Sequence, residues 1–316
     1  MKLGDEIQDI DAPELEEVEL KKRRISVYST GALKTAAAID RLYVNHPGFM
    51  QAIQALDRVF QIAGEFEMQQ GITIEGPPGT GKTSVYRYFK RTVPASNLFA
   101  EGMGIIGVRG IKRTTVGYLI RALLKAYKYP FSSGTEAQLY ARRGILIDLI
   151  REKGTKILFI DESSAMLTKT STRSSTQHET DVTDLLREIL DECGIGVVLA
   201  SYGGGASLKH TDNALASRMS VRCALQEFSY DKQWHGLLHA FASQCIEYDL
   251  GFIKDRSVGK LIHEATQGNI RDLKRLLTEA VLIATDKAQL TLNAETLGKA
   301  FNEVKGRGHE SPNPFD

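Results

Sequence analysis

The residues with the clearest chemical purpose are Gly76-Pro77-Pro78-Gly79-Thr80-Gly81-Lys82-Thr83, which satisfy the G-x-x-x-x-G-K-[ST] spacing in full. Glycines at these positions let the backbone turn tightly enough for successive N–H groups to point inward at phosphate oxygens. The helix that follows adds the positive end of its dipole. Lys82 is long enough to meet the β- and γ-phosphates, the Thr83 hydroxyl can ligate Mg2+, and Ser84 continues the helix beside them. The pattern implies binding of ATP with Mg2+. A glycine-rich turn with no ligand is the plainer reading, and the complete motif with a strand before it and a helix after it argues against that.

A second constellation is Asp161-Glu162, at the end of the apolar run Lys156-Ile-Leu-Phe-Ile160. An Asp at the C-terminal edge of a buried parallel strand lies where ligands bind in open α/β sheets. In a phosphate-loop ATPase the first acid holds Mg2+, directly or through water, and the second polarises the attacking water as general base. Alone, the pair would be an ordinary solvated strand end; downstream of a phosphate loop it points to hydrolysis. Gly268-Asn269-Ile270-Arg271 opens a helix further on, from which Arg271 can reach back to the γ-phosphate. Ser217-Arg218 follows a short helix, where an exposed Arg can enter a neighbouring subunit's site as a finger, and Arg222 is the other candidate.

These residues need elements to hold them. Gly71–Glu75 is expected as a strand ahead of the loop, and Phe49, Ile53, Leu56, Val59 and Phe60 keep helical spacing before it. Further strands are expected over 104–108, 156–162 and 196–201, and helices over 116–127, 139–150 and 182–193. The stretch 163–179 is expected as a polar loop. After Phe228 the pattern is helical only, with helices over 232–245, 257–266, 270–284 and 294–304. This gives an α/β domain with a central parallel sheet over 46–227 and a small helical lid over 228–306. It also gives a charged, partly disordered arm over 1–45, with Lys21-Lys22-Arg23-Arg24 as a possible clip for DNA or a partner, and a disordered tail over 307–316.

Bulk composition fits this. The 316 residues, 42% hydrophobic and 25% charged, suffice for sizeable cores. A net charge of +1 means that any nucleic-acid binding comes from a local patch. Cys193, Cys223 and Cys245 are scattered, which suggests neither a disulfide framework nor a zinc site and fits a cytoplasmic setting. No apolar run is long enough to span a membrane.

With these motifs in this order, the sequence resembles the AAA+ ATPases: Walker A at 76–83, Walker B at 157–162, a sensor-1 strand ending at Ser201-Tyr202, a finger position at Arg218 and a sensor-2 Arg271. Within them it is similar to the transposition ATPases of the TniB/TnsC type, and more distantly to the Mu B protein. The closer resemblance rests on His46-Pro47, Leu215-Ala-Ser-Arg218 and Leu225–Trp234. It departs in its Pro77-Pro78 loop and in Tyr202, which stands where a small polar sensor is usual, so Ser201 and Tyr202 both remain candidates.

The resemblance implies ATP-dependent self-association into a helical filament or ring on duplex DNA. It also implies a transposase and a target-selection adaptor protein as partners. DNA contacts are expected after the second strand, at Arg109, Lys112, Arg113, Thr114 and Thr115, and in a second loop at Ser133 and Thr135. These side chains suit backbone contacts independent of base sequence. A replication initiator or loader is the main alternative, though such proteins usually add a DNA-binding domain after the lid, for which little sequence remains. A protein remodeller would want an aromatic pore loop where Arg109-Gly-Ile-Lys-Arg113 stands.

Overall fold

A computed structural model of the chain describes residues 27–66, 70–93, 103–111, 114–164, 178–203, 212–306 and 311–316. Its centre is a parallel sheet of five strands, β1 (Ile72–Glu75), β2 (Ile105–Arg109), β3 (Ile157–Asp161), β4 (Gly196–Ser201) and β5 (Val221–Ala224), in the order β2-β3-β4-β1-β5. Helices α1 (Thr30–Arg41) and α2 (Pro47–Ile62) precede β1, and α3 (Lys82–Thr92) follows it. Between β2 and β3 lie α4 (Val116–Ala126), α5 (Glu136–Ala141) and α6 (Arg143–Glu152); α7 (His178–Cys193) and α8 (Asn213–Arg218) flank β4. The C-terminal helices are α9 (Lys232–Gln244), α10 (Arg256–Thr266), α11 (Ile270–Asp286) and α12 (Ala294–Lys305).

The strands are near-continuous apolar runs because helices cover both faces of the sheet. On one face Phe49 and Leu56 of α2 and Val85 and Phe89 of α3 pack on Ile72, Ile74, Phe159 and Val198. On the other, Leu119 and Leu123 of α4, Leu146 of α6 and Leu186 of α7 pack on Leu158, Ile160, Val197 and Leu199. Parallel pairing brings the C-terminal ends of β1, β3 and β4 to one edge, with Glu75 opposite Ser201 and Arg109 opposite Asp161.

Several expectations need correction. The segment expected as a partly disordered arm includes α1, whose Ala32, Ala36 and Ile39 form a buried stripe that joins the core of the C-terminal helices, with α1 lying against α11. The Ser29 hydroxyl accepts from Ala32 N–H and caps the helix, and burying Ile39 alone contributes about 1.5–3 kcal/mol. The tail also packs in its described part. Asn313 Nδ2 donates to Gly298 O at 3.2 Å, and the Phe315 ring stands 6.4 Å from that of Phe301.

The helix expected over 139–150 is two helices. A capping box at Thr135 starts the first early, and at Arg142 the backbone N–H bonds to Leu139 O and closes a tight turn. Helix α7 begins at His178, within the stretch expected as loop. Strand β5 was not anticipated; it is a short edge strand with only Cys223 fully buried.

Candidate nucleotide-binding site

The loop 76–83 joins β1 to α3. Gly79 and Gly81 hold φ of +88° and +100°, left-handed conformations that L side chains rarely adopt. Lys82 Nζ donates to the carbonyls of Gly76 (2.5 Å) and Pro77 (2.8 Å), so its ammonium lies inside the loop's curve. Burial holds that ammonium below the usual lysine range, and Arg271 pushes the same way while Asp161 and Glu162 oppose. Thr80 Oγ1 donates to Pro77 O at 2.9 Å and braces the turn.

Thr83 Oγ1 donates to Asp161 Oδ2 at 2.6 Å, which joins the two motifs across the sheet edge. Two hard oxygen donors in contact are a fitting set for Mg2+, which takes few protein ligands and fills its octahedron with phosphate and water. No cluster of three or more His, Cys, Asp or Glu residues among the described residues offers a self-sufficient metal site.

Glu162 follows with φ of +54°, a strained conformation for a non-glycine residue of the kind that gathers at functional sites. Its N–H donates to Asp161 Oδ1 at 3.0 Å, and its carboxylate is ion-paired with Arg109. The Arg109 hydrogen bond keeps the Glu162 carboxyl below its ordinary range, so it is ionised at neutral pH. Arg109, expected to contact DNA, is therefore engaged at the site. The following residue's N–H, that of Gly110, donates to Asp161 O at 2.7 Å, so the loop expected to meet DNA leaves β2 directly beside the end of β3 that carries the acidic pair.

Helix α11 of the C-terminal region forms one wall of the site. Pro78, Gly79, Gly81, Lys82, Thr83, Ser84, Asp161, Glu162, Tyr202 and Arg271 line one cavity of about 1090 Å³. Of the two sensor-1 candidates, Tyr202 lines it and is 65% exposed. Ser201 does not line it, and its carbonyl accepts from Gly76 N–H at 3.2 Å. Arg218 is also away from this cavity. Its guanidinium makes two bonds to the Asp191 carboxylate, at 3.0 and 2.8 Å, and a third to Ala214 O. Arg222 is exposed on the edge strand β5.

Among the residues expected on DNA, Lys112 and Arg113 lie outside the described residues. Three of the hydroxyls have local partners. Thr114 bonds to Ile111, Thr115 caps α4 and Thr135 caps α5. Ser133 O accepts from Arg142 Nη1 at 2.8 Å.

Sequence reasoning gave no role to Asn269, to the Arg109–Glu162 pair, or to the part of the cavity wall made by Asp40, Tyr43, Arg87, Arg91 and Lys274. In that wall Lys274 Nζ donates to Asp40 O at 2.7 Å and lies 5.4 Å from the centre of the Tyr43 ring. Helix α1 was the missing signal, because it carries Asp40 and leads directly to Tyr43.

The family model for the bacterial TniB protein matches residues 35–230. The chain belongs to the TniB family. No curated protein is close enough in sequence to match. Among solved structures the chain is similar to the ORC2 protein of Aeropyrum pernix in its ADPNP-ADP complexes. The TM-score is 0.63 at 16% identity, over 86% of this chain and 72% of that one. It is similar to the A. pernix ORC1 protein in complex with DNA, with a TM-score of 0.63 at 18% identity over 86% and 70%. It is also similar to Drosophila ORC bound to DNA, with a TM-score of 0.56 at 15% identity over 92% and 73%. At these identities the likeness is one of fold, and the fold is that of an AAA+ phosphate-loop protein with a helical C-terminal region. No described helix is long and apolar enough to cross a membrane.

Proposed function

We propose that this chain is an ATP-hydrolysing regulator of transposition that assembles on duplex DNA in the cytoplasm, marks the target site and recruits or stimulates a transposase. One observation carries the reading. The phosphate loop, the Asp161–Glu162 pair and lid Arg271 meet in one cavity, and the 110–115 loop leaves the sheet directly beside that pair. Membership of the TniB family supports the transposition role, and the DNA named for two of the structural neighbours supports duplex DNA as partner.

The residues take the following roles. Lys82 turns from the Gly76 and Pro77 carbonyls to the β- and γ-phosphates. Thr83 and Asp161 hold Mg2+, which when bound neutralises charge across those phosphates. Glu162 accepts a proton from the attacking water once it is released from Arg109. Tyr202 and Arg271 face the γ-phosphate from the sheet and the lid. Phosphates of DNA at the 110–115 loop compete for Arg109, so DNA raises turnover. Arg218 exchanges Asp191 for the γ-phosphate of the next subunit, and that head-to-tail contact, repeated, produces a ring or helix.

The likeness to ORC chains supports a second reading, a replication initiator or loader; stimulation of strand transfer by a cognate transposase, with its target-selection adaptor present, separates the two. The direct test is Glu162→Gln, which keeps shape and removes the base. ATP should bind and persist, with long-lived assemblies on duplex DNA in negative stain. Phosphate release at the wild-type rate would contradict the role given to Glu162.

A further inference from the structure

We propose that Asn269 is a positioning residue that latches the lid to the phosphate loop and so makes the placement of Arg271 depend on what the loop holds. The inference rests on the ATP-binding reading above. Asn269 is 8% exposed, and its amide is used from both ends. Nδ2 donates to Pro78 O at 2.8 Å and to Glu227 Oε1 at 2.9 Å, while Oδ1 accepts from Arg271 N–H at 3.1 Å. Only this orientation of the amide sets its donor against two acceptors and its acceptor against a donor. The Arg271 N–H also donates to Gly79 O at 3.1 Å. One side chain thus joins three parts of the molecule: the phosphate loop, the linker after β5, and the first turn of α11.

Two glycines allow the approach. A Cβ on Gly79 would lie 2.2 Å from Asn269 Oδ1, and a Cβ on Gly268 would lie 1.9 Å from Phe228 O. Both glycines have positive φ, +88° and +70°. Phe228 N–H in turn donates to Gly268 O at 3.0 Å, which fixes the linker to the same corner. The lid helix therefore cannot rotate away without breaking bonds to Pro78 and Gly79, residues that flank the phosphate position. A shift of the loop around a γ-phosphate passes to Arg271 through two residues of rigid backbone.

Asn269 serves also as the cap of α11, so the test must separate capping from latching. Asn269→Ser keeps a capping hydroxyl but is too short to reach Pro78 O. ATP and ADP affinities with Mg2+, measured by calorimetry on the full chain, provide the readout, with Glu227→Gln as the conservative control. We expect Asn269→Ser to weaken ATP about tenfold, as loss of buried hydrogen bonds at one side chain implies, and ADP by about twofold or less. Glu227→Gln, which keeps the acceptor, should remain near wild type. An equal loss for ATP and ADP, or no loss, overturns the latch, because a purely structural residue does not report the γ-phosphate. Failure of the wild type itself to bind ATP overturns the nucleotide reading instead.

Discussion

His46 offers a quantitative test of how the α/β layer is joined to the lid. Its ring packs against Phe49 and edge-on to Phe228, at 5.8 and 5.1 Å between centroids, and its Nδ1 accepts from Phe49 N–H at 3.3 Å as the cap of α2. Burial pushes its pKa down from 6.5 to about 4. The unfolded chain then binds a proton below pH 6.5 that the folded chain refuses until about pH 4, so stability is full above the upper value and declines as pH falls through this window. At about 1.4 kcal/mol per pH unit the window is worth about 3 kcal/mol; water still reaches part of the ring, which reduces this to about 2 kcal/mol. His46→Asn retains a capping oxygen and does not titrate. Urea unfolding of both proteins at pH 7.5 and pH 5 provides the assay. The wild type should lose about 1 kcal/mol more than the variant between the two pH values, since every other titrating group is common to both. Equal losses would refute the reasoning and place His46 in contact with solvent.

Three further outcomes follow from the site. Arg109→Ala should raise DNA-free phosphate release by about two- to fivefold, since the pair it breaks is exposed and weak; an unchanged DNA-free rate would mean that the pair does not restrain Glu162. Arg218→Ala should bind ATP but neither assemble nor hydrolyse, and mixing it with Lys82→Ala should restore part of the ATPase by creating interfaces with one intact site and one intact finger. If no ratio does so and Arg222→Ala shows the defect, the finger is Arg222. Replacing Lys112 and Arg113 together by Ala should weaken binding to all duplexes alike and lower the slope of log affinity against log salt by about two; an unchanged slope moves the DNA surface elsewhere.

The parts of the site read from sequence were those fixed by local spacing. Gly76–Thr83 needs only its own glycines and the following helix, and Ile157–Ile160 is apolar because both sheet faces are covered. What stayed hidden depended on contacts distant in sequence. Arg109 looked like the start of a basic loop because its register opposite Asp161 is a property of the sheet. Asn269 was given no role because its partner Pro78 lies far away along the chain. Helix α1 was missed because its buried stripe is largely alanine, a weak apolar signal that only the lid's packing makes decisive. The short β5 has no hydrophobic run, since it is an edge strand.

The central claim is that the cavity beneath the lid binds ATP and that ATP binding commits the chain to DNA. Fluorescence anisotropy on two duplexes of unrelated sequence, with Mg2+ and with ATP, ADP or no nucleotide, tests this directly in wild type and Lys82→Ala. The account predicts that wild type binds both duplexes with similar affinity and only with ATP, and that Lys82→Ala binds neither under any condition. Wild-type binding that is indifferent to nucleotide, or Lys82→Ala binding DNA as wild type does with ATP, would contradict it.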